Sequence, residues 1–303
     1  MGNKEKMNSP YAIIVTSNKG YLPGLNILLN GLDYYGNTAD VHIIYDGIEE
    51  YIQENINKFP FSIFAVDIKT MPIEVSHKFS KYWYMSNIKN NYKVICALGA
   101  DTAVVDNIMK YFEIAEKTDI IPVGQYPHTG ITLEHYKTMP SEEVIKNYPL
   151  ADFPIFLNTE KHIDFFEYCW KIQPTIDEND PIKNKELYLI NKAFHDTNKI
   201  DNILVLPGNL WIADGILYND DLSIWDIGDK KYLYTSLRHR IKILHNKWWK
   251  EGVIAGETKS MNNHFVNSPH IIERALKNLE AMKKVLKVLC EGHKVKIKVK
   301  ELN

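Results

Sequence analysis

The chain has 303 residues, 45% of them hydrophobic, which is enough for a sizeable core; the length permits two domains, but a single α/β unit of this size is common. With 36 Lys and Arg against 38 Asp and Glu, the net charge is -2, so no global field attracts polyanions and nucleic acid is not indicated by charge. Cys96, Cys169 and Cys290 lie far apart in apolar surroundings, which excludes a disulfide framework and reads as buried thiols in a reducing compartment.

The first residues, Met1 to Lys6, lack the apolar stretch of a secretory leader, and no uninterrupted apolar run reaches bilayer-spanning length. A cytoplasmic protein, at most peripheral at a membrane, is the expectation. Strands are expected over residues 11–16, 41–45, 62–66 and 92–98, alternating with helices over 22–35, 49–58 and 78–89. That alternation predicts βαβ units around a mixed, mostly parallel central sheet flanked by helices. Asp46-Gly47 closes the second strand, where Asp46 suits a contact to a base or ribose and equally a turn.

Residues 94–105 read as two apolar strands around a small-residue break that holds one carboxylate, Asp101. In open α/β sheets, ligands collect where strands end. Residues 128–149 lose the alternation and read as an inserted loop, lining an acceptor or merely crossing the surface. Helices are expected over 160–172 and 185–195, then a strand over 203–206. Ser268-Pro269 opens a last helix with an apolar stripe from Ile272 to Leu289, which Gly292 ends. Lysine alternates with β-branched residues over 294–300, as in a protected edge strand or a patch for acidic lipid. The expected organisation is a tail over 1–10, one domain over 11–267, and a C-terminal helix and basic strand over 268–303 packed on it.

Leu98-Gly99-Ala100-Asp101-Thr102 resembles the Asp-X-Asp segment of GT-A-fold glycosyltransferases, particularly family-8-like enzymes, with Gly99 where the first aspartate stands. Further segments resemble the same family in the same order. They are Ile13-Ile14-Val15-Thr16-Ser17-Asn18 with Tyr21, Lys81-Tyr82-Trp83, Phe153-Pro154-Ile155-Phe156-Leu157-Asn158, Asn184-Lys185-Glu186-Leu187-Tyr188-Leu189-Ile190-Asn191 and Ile243-Leu244-His245-Asn246-Lys247-Trp248. The likeness covers residues 11–250.

The resemblance implies transfer of a sugar from a nucleoside diphosphate sugar, with uridine as the base, retention of anomeric configuration and a Mn²⁺ or Mg²⁺ ion. Asp101 and His245 are the implied metal ligands; hard oxygens plus an imidazole suit Mn²⁺. Val15, Thr16, Ser17, Tyr21, Asp46, Lys81 and Lys247 are the implied nucleotide contacts, and Glu186 and Asn158 the residues beside the transferred sugar. The residues themselves leave ordinary roles open: Thr16, Ser17 and Asn18 also suit a turn capping the next helix, and Glu186 a surface position. A catalytically degenerate nucleotide-sugar-binding protein is the alternative. A nucleotidyltransferase ranks last, because the stretch after Thr16 offers only Lys19-Gly20 towards a triphosphate loop. Donor sugar and acceptor are unread, with a modified nucleic-acid base among the acceptors left open.

Overall fold

The computed structural model describes residues 9–72, 79–125, 151–172, 186–206, 211–212, 221–245 and most of 277–289. Its centre is a seven-stranded sheet of order β3-β2-β1-β4-β7-β6-β8. The strands are β1 Tyr11–Asn18, β2 Asp40–Asp46, β3 Ile63–Asp67, β4 Val94–Gly99, β6 Ile121–Gln125, β7 Ala151–Asn158 and β8 Ile203–Val205. Only β7 runs against its neighbours. Near-continuous apolar runs such as Ile13-Ile14-Val15 and Val94-Ile95-Cys96-Ala97-Leu98 form these strands because both faces of the sheet are covered.

Strand alternation divides the core. Ile13, Val15, Val41, Ile43, Cys96 and Leu98 pack against helices α1 Leu22–Tyr34, α2 Glu49–Asn55 and α4 Met109–Lys117. Ala12, Ile14, Ile44, Ile95 and Ala97 face α3 Ser80–Ile88 and two later helices, α5 Ile163–Ile172 and α6 Glu186–Asp196. Two of the three cysteines, Cys96 and Cys169, are free and buried; burial pushes both thiols well above their ordinary pKa.

A smaller three-stranded sheet joins β5 Thr102–Val104, β9 Trp211–Ile212 and β12 Ile243–His245. The second apolar run after Asp101 therefore leaves the main sheet and lies against α1. The strands β10 Ser223–Ile227 and β11 Lys230–Tyr234 make a hairpin. Leu233 of this hairpin packs with Leu244 and with Met282, Val285, Leu286 and Leu289 of the C-terminal segment. The expected insertion over 128–149, most of the expected 268–292 helix and the 294–300 tail lie outside the described residues. Among the described residues, no helix is long and apolar enough to cross a membrane.

Candidate active site at the carboxyl edge of the sheet

β1, β2 and β4 run parallel, with Thr16 in register with Ile44 and Gly99, and Asn18 with Asp46. Their last residues therefore share one edge. Thr16 lies on the same face as Ala12 and Ile14, and position 99 on that of Ile95 and Ala97, so both belong to the face covered by α3 and α6.

Asp101 follows in the turn after β4. A Cβ built on Gly99 would lie 2.4 Å from Asp101 Oδ1 and 3.6 Å from Thr102 Oγ1. The absent side chain is thus space that the Asp101 carboxylate uses: it turns back over Gly99. At the ends of the same strands, the buried hydroxyls of Thr16 and Thr102 have no hydrogen-bond partner among the described residues, nor has that of Ser17 on the opposite face of β1. A buried hydroxyl without a partner is costly, so Thr16 and Thr102 at this edge fit a polar occupant such as water or a ligand.

Lys81 and Glu186 meet beside this edge. Each stands in the first turn of its helix, α3 or α6, and Lys81 Nζ is 3.0 Å from Glu186 Oε1, with only 6% and 20% of the two side chains exposed. The ammonium also lies 3.9 Å from the ring centroid of Phe153, near the start of β7. Asn191 clamps α6 to the same end of β7, donating from Nδ2 to the Ala151 carbonyl and accepting its N–H at Oδ1, both at 2.9 Å. The asparagine that closes the Glu186–Asn191 motif is therefore a structural staple.

His245 ends β12. Its backbone is opposite Thr102 in the antiparallel ladder with β5, one residue along from Asp101. Among the described residues no group of three or more His, Cys, Asp and Glu side chains converges to hold a metal ion. The expected ligands Asp101 and His245 would need phosphate oxygens and water to complete the shell of Mg²⁺ or Mn²⁺. The unpartnered Thr102 hydroxyl, next to Asp101 in the chain, fits a polar occupant there.

Other expected site residues fall elsewhere. Val15 is wholly buried, with both edges of its backbone engaged, opposite Ile43 and Leu98, and offers a ligand nothing. Asn158 is opposite Val94, at the far end of β4 from Gly99. Its amide is spent locally: Nδ2 donates to the carbonyls of Ala115 and Glu116 at 3.1 and 3.2 Å, and Oδ1 accepts the N–H of Glu160 and Lys161, both at 3.0 Å. Asn158 is a strand-end cap, so its place beside the sugar is corrected. Tyr21 lies at the site edge, packed partly on the α1 core, and Asp46 is half-buried at the end of β2. Lys247 lies outside the described residues. Sequence reasoning missed Thr102 and Phe153; the hydroxyl next to Asp101 was the available signal for the first.

No model of a known protein family matches the chain, and no curated protein matches it. Among solved structures it is similar to the apo form of the bifunctional glycosyltransferase WbbM, with a TM-score of 0.51 and 11% identity over 89% of this chain and 52% of that one. The fold is of the GT-A type. This chain spans about half the length of the WbbM structure. It also matches the galactosyltransferase LgtC in complex with donor and acceptor sugar analogues, with a TM-score of 0.48 and 11% identity over 87% of this chain and 95% of that one.

Proposed function

We propose that the chain is a glycosyltransferase that moves a sugar from a UDP-sugar to an acceptor, with divalent-metal assistance and retention of configuration. One observation carries the reading: the carboxylate over Gly99, the unpartnered hydroxyls of Thr16 and Thr102, and the Lys81–Glu186 pair share one edge of a GT-A-type sheet. The β12 register supports Asp101 and His245 as the metal-holding pair.

In the transfer, the bond between the anomeric carbon and the diphosphate oxygen breaks, and negative charge grows on the departing UDP. A bound Mn²⁺ or Mg²⁺ would supply Lewis-acid stabilisation of that charge. Thr16 and Ser17 at the end of β1, with Asp46 at the end of β2, would hydrogen-bond the uridine, and Tyr21 would present a ring to its base. Lys81, seated on Phe153, would hold its charge towards the diphosphate, and Lys247 would add a second cation. Glu186 would face the sugar, where a carboxylate favours positive charge at the anomeric carbon.

A catalytically degenerate binder is the second reading, favoured by Gly99 standing where the Asp-X-Asp segment carries its first carboxylate. Calorimetric titration with UDP, with and without Mn²⁺, paired with UDP release from a panel of UDP-sugars, separates the two. Metal-enhanced binding with UDP release supports the transferase. Metal-enhanced binding without release selects the binder, and no UDP binding at all overturns both.

A further inference from the structure

Helix α1 is wedged between the two sheets. Leu25, Leu28, Leu29 and Leu32 pack on the main sheet, whereas Ile27 packs with Ala103, Val105 and Leu244 of the smaller layer. On the side towards the small sheet, Gly24 and Gly31 stand two turns apart, both buried. A Cβ on Gly24 would lie 2.2 Å from the Ala100 carbonyl oxygen, 3.2 Å from its carbon and 3.5 Å from Asp101 Cα. A Cβ on Gly31 would lie 2.3 Å from the Val104 carbonyl oxygen. Both obstacles are backbone, so no rotamer change relieves either.

The two contacts differ in what can yield. Val104 is held in the ladder opposite Ile243, whereas Ala100 and Asp101 form the turn between β4 and β5 and belong to no ladder. The leucines fix α1 against the main sheet, so a side chain at position 24 must displace the turn. Asp101 Oδ1 lies in the space over Gly99, so a shift of the turn carries that carboxylate with it.

We propose that Gly24 is a positioning residue: its bare Cα seats the Ala100–Asp101 peptide on α1 and thereby aims the Asp101 carboxylate over the carboxyl edge of the sheet. The proposal rests on the reading of Asp101 as the group that holds metal or donor phosphate. Its steric half stands without that reading.

The test compares the wild-type chain with Gly24→Ala and, as control for the same clash away from the turn, Gly31→Ala. Three readouts are taken: the melting temperature, the ¹³C signal of the Asp101 carboxyl assigned with Asp101→Asn, and Mn²⁺ affinity in the presence of UDP by electron paramagnetic resonance. Both glycine variants are expected to melt lower. Gly24→Ala alone shifts the Asp101 signal and weakens Mn²⁺ binding tenfold or more, with Gly31→Ala within twofold of wild type. An unmoved Asp101 signal in Gly24→Ala, an equal loss in Gly31→Ala, or a Gly24→Ala chain that cannot fold because the turn does not yield overturns the proposal. If the wild-type chain binds no Mn²⁺ with UDP, the functional reading fails, and the Asp101 signal still decides whether Gly24 positions the carboxylate.

Discussion

His42 lies buried in β2 between two tyrosines: Nδ1 is 2.9 Å from Tyr84 Oη and Nε2 is 2.7 Å from Tyr92 Oη, and Tyr92 donates onward to Asp40 at 3.3 Å. Because the Tyr92 proton is committed to Asp40, the neutral ring donates from Nε2 and accepts from Tyr84. Burial lowers the imidazole pKa from 6.5 to about 3. The unfolded chain then binds the extra proton first, so stability is full above pH 6.5 and falls, by up to about 1.4 kcal/mol per pH unit, as pH drops towards 3. Urea titrations from pH 7.5 to 4.5 are expected to show this slope, and His42→Phe to flatten it. At the candidate site, removing one partner of a mostly buried ion pair costs more than removing both. Lys81→Met is therefore expected to destabilise the fold by about 3 kcal/mol, and Lys81→Met/Glu186→Leu to recover much of it, by chemical denaturation. Gly99→Asp does not simply add a second carboxylate, since the new side chain meets Asp101 Oδ1. Weaker Mn²⁺ binding than in the wild-type chain is the expected calorimetric result.

At the scale of elements, β12 reaches its register beside Asp101 partly through Asp106. This buried carboxylate pairs with Lys242 and with Arg240 Nη1 at 3.4 Å and also accepts the N–H of Asn107 at 2.7 Å, while Asn37 and Asn107 cap the start of α4. Asp106→Asn leaves two cations competing for neutral acceptors, and hydrogen exchange across residues 241–245 is expected to quicken. The main strands and helices were legible because their apolar runs are long and flanked by turn residues: β1, β2 and β4 and helices α1, α3, α5 and α6 fall within a few residues of expectation. The small sheet was not legible. Its strands hold two or three residues, β5 pairs with β12 across more than a hundred positions and β9 with β12 across about thirty, and no local period encodes such pairing. Within the candidate site, the Asp101 edge and the Lys81 and Glu186 helices were readable from motif order, whereas the separation of Asn158 was not. Its distance follows from the reversed direction of β7, a property of the assembled sheet.

Across the whole molecule, β1, β2 and β4 deliver their last residues to one rim under cover on both faces. The β10–β11 hairpin is tied to the end of α1, where Tyr34 and Tyr35 donate to the carbonyls of Asp229 and Lys231, and it leaves Trp225 and Ile227 exposed with Leu233 as its buried anchor. Hydrogen–deuterium exchange is expected to be slowest in β1 and β4 and fast at Ser223–Ile227. The main and small sheets are joined after Gly99 by a link of two residues, an even number. Since pleats alternate singly, this link sets the parity of β5: Val104 faces the α1 side, while Ala103 and Val105 face the layer of Met282 and Leu286. One inserted residue there would turn β5 inside out, exchanging the neighbours of Thr102 with those of Ala103. At this junction the count itself is part of the architecture.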